Sequence, residues 1–439
     1  MLGALAGTGD VEFVSQREDA DVLIVNTCGF INSAKEESIN AILDAVRLKQ
    51  TGRVTKVIVT GCLAQRYGND LAKEIPEVDA YLGIESAPRV GNVVFGARPA
   101  KTNLVTAVEE KYPLVPPARL RASATPWTAY LKVSEGCDHT CTFCAIPGIR
   151  GKHRSKPIER LVQEATDLAA SGVFELNLVA QDTTAYGMDL YGRLALPELL
   201  DKLSAVPGIL WIRLLYCYPT MVRQPLIDAI NAHPNVIPYI DMPLQHGNDA
   251  MLKRMKRGGN VDQYRRLFDK MRDSIPDLTL RTTFLVGFPG ETEEEFADLL
   301  KFVTDVKFDR VGVFTYSAEE GTPSFDMPGA VPARVMRSRR DQVMAAQQPI
   351  SLENNRRWIG RELDVVIEGV RDGIPYGRSF RDAPEIDGAV ILSDSSALNA
   401  GELPDARPTT HGAPARLPGT LVRAQITAAQ AYDLNATVL

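Results

Sequence analysis

Cys137-Asp138-His139-Thr140-Cys141-Thr142-Phe143-Cys144 sets three thiols on one short loop, with three and then two residues between neighbours. An odd number at this spacing is poor material for disulfides, because loops so tight strain the bridge geometry. It suits a metal. Zinc takes four closed ligands, or three with one position open. A cubane iron–sulfur cluster has four irons, so three thiolates hold three and leave the fourth to another ligand. The extended run Tyr130-Leu131-Lys132-Val133 comes just before, so the triplet follows a strand. His139 lies inside the loop and reads as a packing residue rather than an iron ligand. The plain alternative is three buried thiols or a small zinc loop.

Outward from the triplet the chain alternates. Strands are expected at 129–133, 175–179, 211–215, 237–242, 278–286 and 310–316, with helices at 158–170, 196–203, 221–232, 261–273 and 293–306. Six such βα units make an open, partial (βα)6 barrel whose chemistry belongs at the carboxyl ends of the strands. The triplet follows the first of them. Glu293-Glu294-Glu295 reads as the first turn of a helix, favourable to its dipole. A long polar helix from Ala333 to about Trp358 leads to a last segment of short strands, at 362–369, 374–381, 389–392 and 420–428, which reads as a small β-barrel.

On the other side, Pro113, Pro116, Pro117 and Pro126 mark a linker over 110–126. Before it, Asp21–Cys28 and Val54–Thr60 read as buried parallel strands followed by helices, a doubly wound α/β domain. Cys28 and Cys62 stand at the carboxyl ends of those strands, where such sheets place ligands. Two buried small hydrophobes are the competing reading. Met1-Leu-Gly-Ala-Leu reads as the middle of a helix, so a strand, and with it a third thiolate, is expected upstream of Met1 or is missing. The expected division is an N-terminal domain over 1–112, apparently cut short at its start, a barrel over 127–357 and a terminal β-barrel over 358–439. The fold class is α/β, multidomain.

Composition sets outer bounds. With 45% hydrophobic and 24% charged residues the chain is an ordinary globular one. No apolar run approaches the roughly 18 residues of a membrane helix, and no secretory signal opens the chain. Six cysteines in 439 residues are no disulfide scaffold, which points to a reducing cytoplasm. A formal charge of -6 argues against strong, mainly electrostatic binding of nucleic acid.

The Cys137, Cys141, Cys144 spacing after a strand resembles the radical S-adenosylmethionine (SAM) enzymes. That resemblance implies a [4Fe-4S] cluster on the triplet, with SAM on the open iron. SAM needs partners for its carboxylate, ammonium, ribose and adenine. Arg213 suits the carboxylate. Gln181 and Asp182, in Gln181-Asp-Thr-Thr-Ala-Tyr-Gly187, and Gln245, in Pro243-Leu-Gln-His-Gly-Asn-Asp249, suit the ammonium or ribose. Val286-Gly-Phe-Pro-Gly-Glu-Thr292 supplies a turn where backbone can approach a flat base. Phe143, inside the cluster loop, joins the SAM contacts. His246 at a strand end faces substrate or makes a simple hydrogen bond, and Cys217 reads as a buried thiol.

Cys28, Cys62, the triplet and a terminal β-barrel together resemble the radical SAM methylthiotransferases along nearly the whole chain. In that family an N-terminal domain holds a second [4Fe-4S] cluster on three cysteines. Cys28 and Cys62 match two of them; the segment carrying the third is absent here, which puts that cluster in doubt. The last domain resembles a TRAM domain. Two branches differ in substrate: the MiaB type modifies adenosine beside the tRNA anticodon, the RimO type an aspartate of small-subunit ribosomal protein S twelve. Gln181-Asp-Thr-Thr184 stands where the tRNA branch shows Gln-Asn-Val, and Pro243-Leu-Gln-His-Gly247 where it shows Pro-Val-Gln-Ser-Gly, so this chain resembles the RimO type. From Arg357 onward there are 8 Lys and Arg against 11 Asp and Glu, a balance that suits a basic protein better than phosphate. The resemblance implies hydrogen abstraction from the β-carbon of the aspartate by a deoxyadenosyl radical, sulfur insertion from or through the second cluster, and methylation by a second SAM. It also implies an electron donor such as a flavodoxin or ferredoxin.

Overall fold

Val57, Ile58 and Val59 are all fully buried, although successive side chains of a strand point to opposite faces. Their sheet must therefore be covered on both sides. The computed structural model, which describes residues 1–96, 102–106, 125–393 and 418–439, shows how. Strands β1 (Val22–Thr27), β2 (Lys56–Gly61), β3 (Ala80–Leu82) and β4 (Thr102–Leu104) run parallel in that order. Helices α1 (Leu2–Ala6) and α4 (Val90–Phe95) close one face over Ile58, Ala80 and Leu82; α2 (Asn32–Thr51) and α3 (Cys62–Glu74) close the other over Val57 and Val59. This is the expected doubly wound domain. The linker expected over 110–126 falls almost wholly outside the described residues. The N-terminal domain, Glu135–Ser155 and Ser317–Met327 form one compact unit.

A second unit takes Ala124–Ser134, Lys156–Tyr316 and Pro328–Leu439. Its main sheet is β5 (Thr128–Lys132), β6 (Glu175–Val179), β7 (Trp211–Leu214), β8 (Val236–Asp241), β9 (Thr279–Val286) and β10 (Arg310–Thr315), all parallel and in sequential order. Leu131, Leu176, Leu178, Ile212, Leu214 and Phe284 alternate onto one face, in one core with Leu161 of helix α6 (Ile158–Ala170) and Phe302 of helix α7 (Glu293–Val306). The acidic run at 293–295 opens α7: Thr292 and Glu295 form a capping box that answers two otherwise unpaired N–H groups.

The C-terminal segment closes into a five-stranded barrel of β11 (Glu362–Arg371), β12 (Ile374–Arg378), β13 (Val390–Ser393), β14 (Leu421–Ala429) and β15 (Leu434–Val438). The last strand was not expected. Leu434-Asn-Ala-Thr-Val438 is short and only half apolar, and it is held by pairing with β13 and β14.

Buried charge joins this barrel to the amino ends of the six-stranded sheet. Glu175 accepts from Arg378 at 2.6 Å, Arg213 at 3.1 Å and the Thr128 hydroxyl at 2.5 Å, with no exposure of its own. Arg310 pairs with Asp382 at 2.7 Å, and the Tyr239 hydroxyl donates to Asp387 at 2.6 Å. Burial pushes the Glu175 carboxyl up, but the two guanidinium groups outweigh it and hold it below its ordinary range.

Candidate functional site

In the N-terminal unit, Thr27 and Gly61 are register partners on neighbouring parallel strands, and Cys28 and Cys62 each come one residue later. The two thiols thus leave the sheet at the same level. Glycine makes the approach possible. A side chain at Gly61, at φ +102, would lie 2.4 Å from the Thr27 carbonyl oxygen, and one at Gly29 would lie 2.8 Å from the backbone of Leu63. The Ser38 hydroxyl fixes Cys28 from the other side, accepting from its N–H at 3.0 Å and donating to its carbonyl at 3.1 Å.

The triplet loop is strapped by its own return. Cys137 N–H donates to the Gly151 carbonyl at 3.1 Å, His153 N–H to Asp138 Oδ1 at 3.0 Å, and Cys144 N–H to the Cys141 carbonyl at 3.1 Å. Gly136, at φ +77, has no room for a side chain: a Cβ would sit 2.0 Å from the Lys152 oxygen. Cys141 is buried; Cys137, Phe143, Cys144 and His139 are half-buried. Among the described residues no three His, Cys, Asp or Glu side chains gather around one ion. Three thiolates of a cubane bind three different irons, so the donor set fits a cluster without converging on one point.

One side chain ties the two cysteine sets together, and sequence reasoning missed it. Arg150 ends the single-turn helix α5 (Ile146–Arg150) six residues after Cys144. Its Nη2 donates to Cys62 Sγ at 3.0 Å, and its Nη1 pairs with Glu135, two residues before Cys137. A lone arginine in a glycine-flanked turn carries no spacing signal that would have marked it.

In the other unit, the expected SAM residues separate. Gln181 is half-buried just beyond β6, and its Oε1 is a buried acceptor with no partner. Gln245 is held at φ +78 by a backbone bridge, its N–H donating to the Thr283 carbonyl and its carbonyl accepting from Leu285. Tyr216, beyond β7, is a second non-glycine residue at positive φ (+58), half exposed and unmarked by its sequence. Such backbone outliers gather where geometry serves function. Asp182 turns inward: its Oδ1 accepts from Thr184 N–H at 2.9 Å, the Thr184 hydroxyl at 2.5 Å and Ala185 N–H at 3.2 Å, so it shapes its own loop.

Arg213 requires correction. It is fully buried, donates to Glu175 and to the Phe380 carbonyl at 2.7 Å, and lies over the Tyr239 ring at 4.5 Å. Its guanidinium belongs to the junction with the C-terminal barrel, so it is not placed to take a SAM carboxylate. His246 makes the simple bond. Asn248 N–H donates to its Nδ1, leaving Nε2 to donate to Glu291 at 3.0 Å; Arg339 reaches the same carboxylate at 2.7 Å, and Gly287 N–H at 2.5 Å. This buried group fixes the glycine turn after β9 from beneath. Burial pushes Glu291 up, and the bonds from His246, Gly287 and Arg339 bring it below the ordinary carboxylate range. Cys217 is a buried thiol, pushed well up by burial and by Asp241 and Asp182 nearby.

Comparison with known proteins adds the family. The radical SAM superfamily matches residues 131–303, the uncharacterized protein family UPF0004 matches 1–83, and the TRAM domain matches 359–439. The ribosomal protein uS12 methylthiotransferase RimO of Desulforamulus reducens is 48% identical over 92% of this chain and 91% of its own length. That of Anaeromyxobacter sp. (strain Fw109-5) is 45% identical over 99% and 88%. In fold, the radical SAM methyltransferase TsrM of Kitasatospora setae superposes with a TM-score of 0.52 at 14% identity, covering 73% of each chain. No helix among the described residues is long and apolar enough to cross a membrane. Residue chemistry, domain order and relatives agree: this chain belongs to the RimO family of radical SAM ribosomal protein uS12 methylthiotransferases.

Proposed function

We propose that this protein replaces a hydrogen on the β-carbon of an aspartate of ribosomal protein uS12 with a methylthio group. The observation that supports it best is the joining of Cys62 to the triplet loop through Arg150, within one compact unit that also holds Cys28. A radical cofactor is needed because that carbon is unactivated and acid–base chemistry does not reach it. When bound, the [4Fe-4S] cluster and SAM supply the electron and the deoxyadenosyl radical. Cys137, Cys141 and Cys144 hold the first cluster, and Gly136 and the Gly151–His153 strap keep their loop closed. Cys28 and Cys62 supply thiolates to a second cluster. Gln181 and Gln245 offer polar groups to SAM, Phe143 an apolar one, and the turn fixed by His246 and Glu291 accepts its base. Asp182 holds the Gln181 loop in shape. A flavodoxin or ferredoxin supplies electrons, and six cysteines that make no disulfide scaffold support a reducing cytoplasm as the setting.

Cys141→Ala in reconstituted protein should abolish deoxyadenosine formation; deoxyadenosine at the wild-type level would overturn the triplet as the site. Iron analysis tests the second cluster: about eight irons per chain are expected if Cys28 and Cys62 serve one, and about four if they do not.

A further inference from the structure

Tyr216 stands just past the end of β7 at φ +58, in the left-handed region where a bulky side chain is an outlier. Bonds on both sides hold it there. Its N–H donates to Asp241 Oδ2 at 3.1 Å, and its carbonyl accepts from Thr183 N–H at 3.1 Å. The neighbouring Leu215 carbonyl accepts from the Thr183 hydroxyl at 2.6 Å, and Cys217 N–H donates to the Asp241 carbonyl at 2.8 Å. Asp241 is itself fixed by Arg281 at 2.7 Å. Strain persists where its surroundings over-determine it, and it gathers at functional positions.

Glycine would take this backbone without strain, yet the position carries a tyrosine. Packing does not explain the choice, because Tyr216 is 51% exposed and lies outside the apolar clusters of this unit. Its hydroxyl has no hydrogen-bond partner among the described residues. The partial burial it does have, and then the Asp241 carboxylate, push its phenol up, so it keeps its proton at neutral pH and is a donor. Arg281 is engaged by Asp241 and Asp387 at 2.7 and 3.5 Å, so the phenol is the open donor beside it. In the sheet β7 lies between β6 and β8. Tyr216 therefore emerges between the Gln181 loop, whose Thr183 it bonds, and the segment after β8 that carries Gln245. Those glutamines are the polar groups assigned to SAM, and the reacting carbon has to lie beside SAM.

We propose that Tyr216 is a substrate contact, its hydroxyl donating a hydrogen bond to the side-chain carboxylate of the target aspartate. The inference rests on the function proposed above. That carboxylate is bonded directly to the β-carbon that loses hydrogen. A donor held in one place therefore fixes the orientation of that carbon and which of its hydrogens is presented. The phenol holds the carboxylate and exchanges no proton with it.

The test is titration of the iron-loaded full chain, with SAM present and no reductant, so that nothing turns over. The probes are uS12 and uS12 with its target aspartate changed to alanine. Tyr216→Phe should weaken binding of uS12 about tenfold, the loss of one hydrogen bond to a charged group. It should bind the alanine form as wild type does, because the partner group is already gone. Its denaturation midpoint should not move. A tyrosine that only supports the fold would weaken both forms alike. Equal weakening of both forms, or uS12 bound equally by wild type and Tyr216→Phe, would overturn the proposal. Wild-type protein that binds neither form would overturn the proposed function, and this contact with it.

Discussion

The two ends of the six-stranded sheet are built on opposite terms. At the amino ends, buried carboxylates are answered: Glu175 by Arg378 and Arg213, Asp382 by Arg310, and Asp387 by the Tyr239 hydroxyl. At the carboxyl ends, the Gln181 oxygen is left unanswered, and Gln245 and Tyr216 are held at positive φ. Satisfied polar groups in a low-dielectric interior fix geometry. Unsatisfied groups and strained backbone mark where a ligand completes the structure. A polar residue on a barrel strand is thus read by how far along the strand it stands and by what answers it, and Arg213 falls on the structural side.

Substitutions at the two ends should break in different ways. The largest effect on folding is expected from Arg378→Met, which leaves the Glu175 carboxylate with Arg213 as its one remaining cation. It should cost about 3–5 kcal/mol in chemical denaturation. Arg213→Met should behave likewise; a folded, stable variant with a selective loss of SAM affinity would return Arg213 to the cofactor site. Gln181→Ala and Gln245→Gly should lower deoxyadenosine formation about tenfold or more, while stability moves by about 0.5 kcal/mol or less. Equal losses of stability and activity would place both glutamines with the scaffold.

Protons test the same contrast. The folded pKa of Glu175 lies below its unfolded value. Its stabilisation is therefore fully present above the ordinary carboxylate range and is lost as pH falls through the folded pKa. Stability should hold across neutral pH and decline below about 4. Glu175→Gln should flatten that acid limb while lowering stability at neutral pH. A smaller effect on folding than at Arg378 is expected from Arg150→Gln, about 1–2 kcal/mol. If Cys28 and Cys62 hold iron as proposed, its mark should appear instead in the electron paramagnetic resonance of that iron, since hydrogen bonds to sulfur tune such centres. A spectrum identical to wild type would make Arg150 a packing residue.

Much of this molecule was legible in its sequence. The helix at 293–306 and the strand at 175–179 fall where hydrophobic period and flanking residues put them. Cys28 and Cys62 leave the sheet at one level because parallel strands in register deliver neighbouring strand ends together. What was not legible depends on partners distant in sequence. Arg213 and Glu175 are 38 residues apart, and Arg378 joins them from 203 residues past Glu175. A guanidinium on a barrel strand looks the same in sequence whether it awaits a cofactor or closes such a network. Leu434–Val438 becomes a strand only because two others flank it. Arg150 gains its meaning from a thiol 88 residues earlier.

The most direct measurement incubates the iron-loaded protein with SAM, a low-potential reductant, uS12 and tRNA, and then analyses both macromolecules by mass spectrometry. A methylthio group on one aspartate of uS12, with tRNA unchanged and the modification absent for Cys141→Ala, is the expected result. A methylthio group on tRNA adenosine with unmodified uS12 would contradict it.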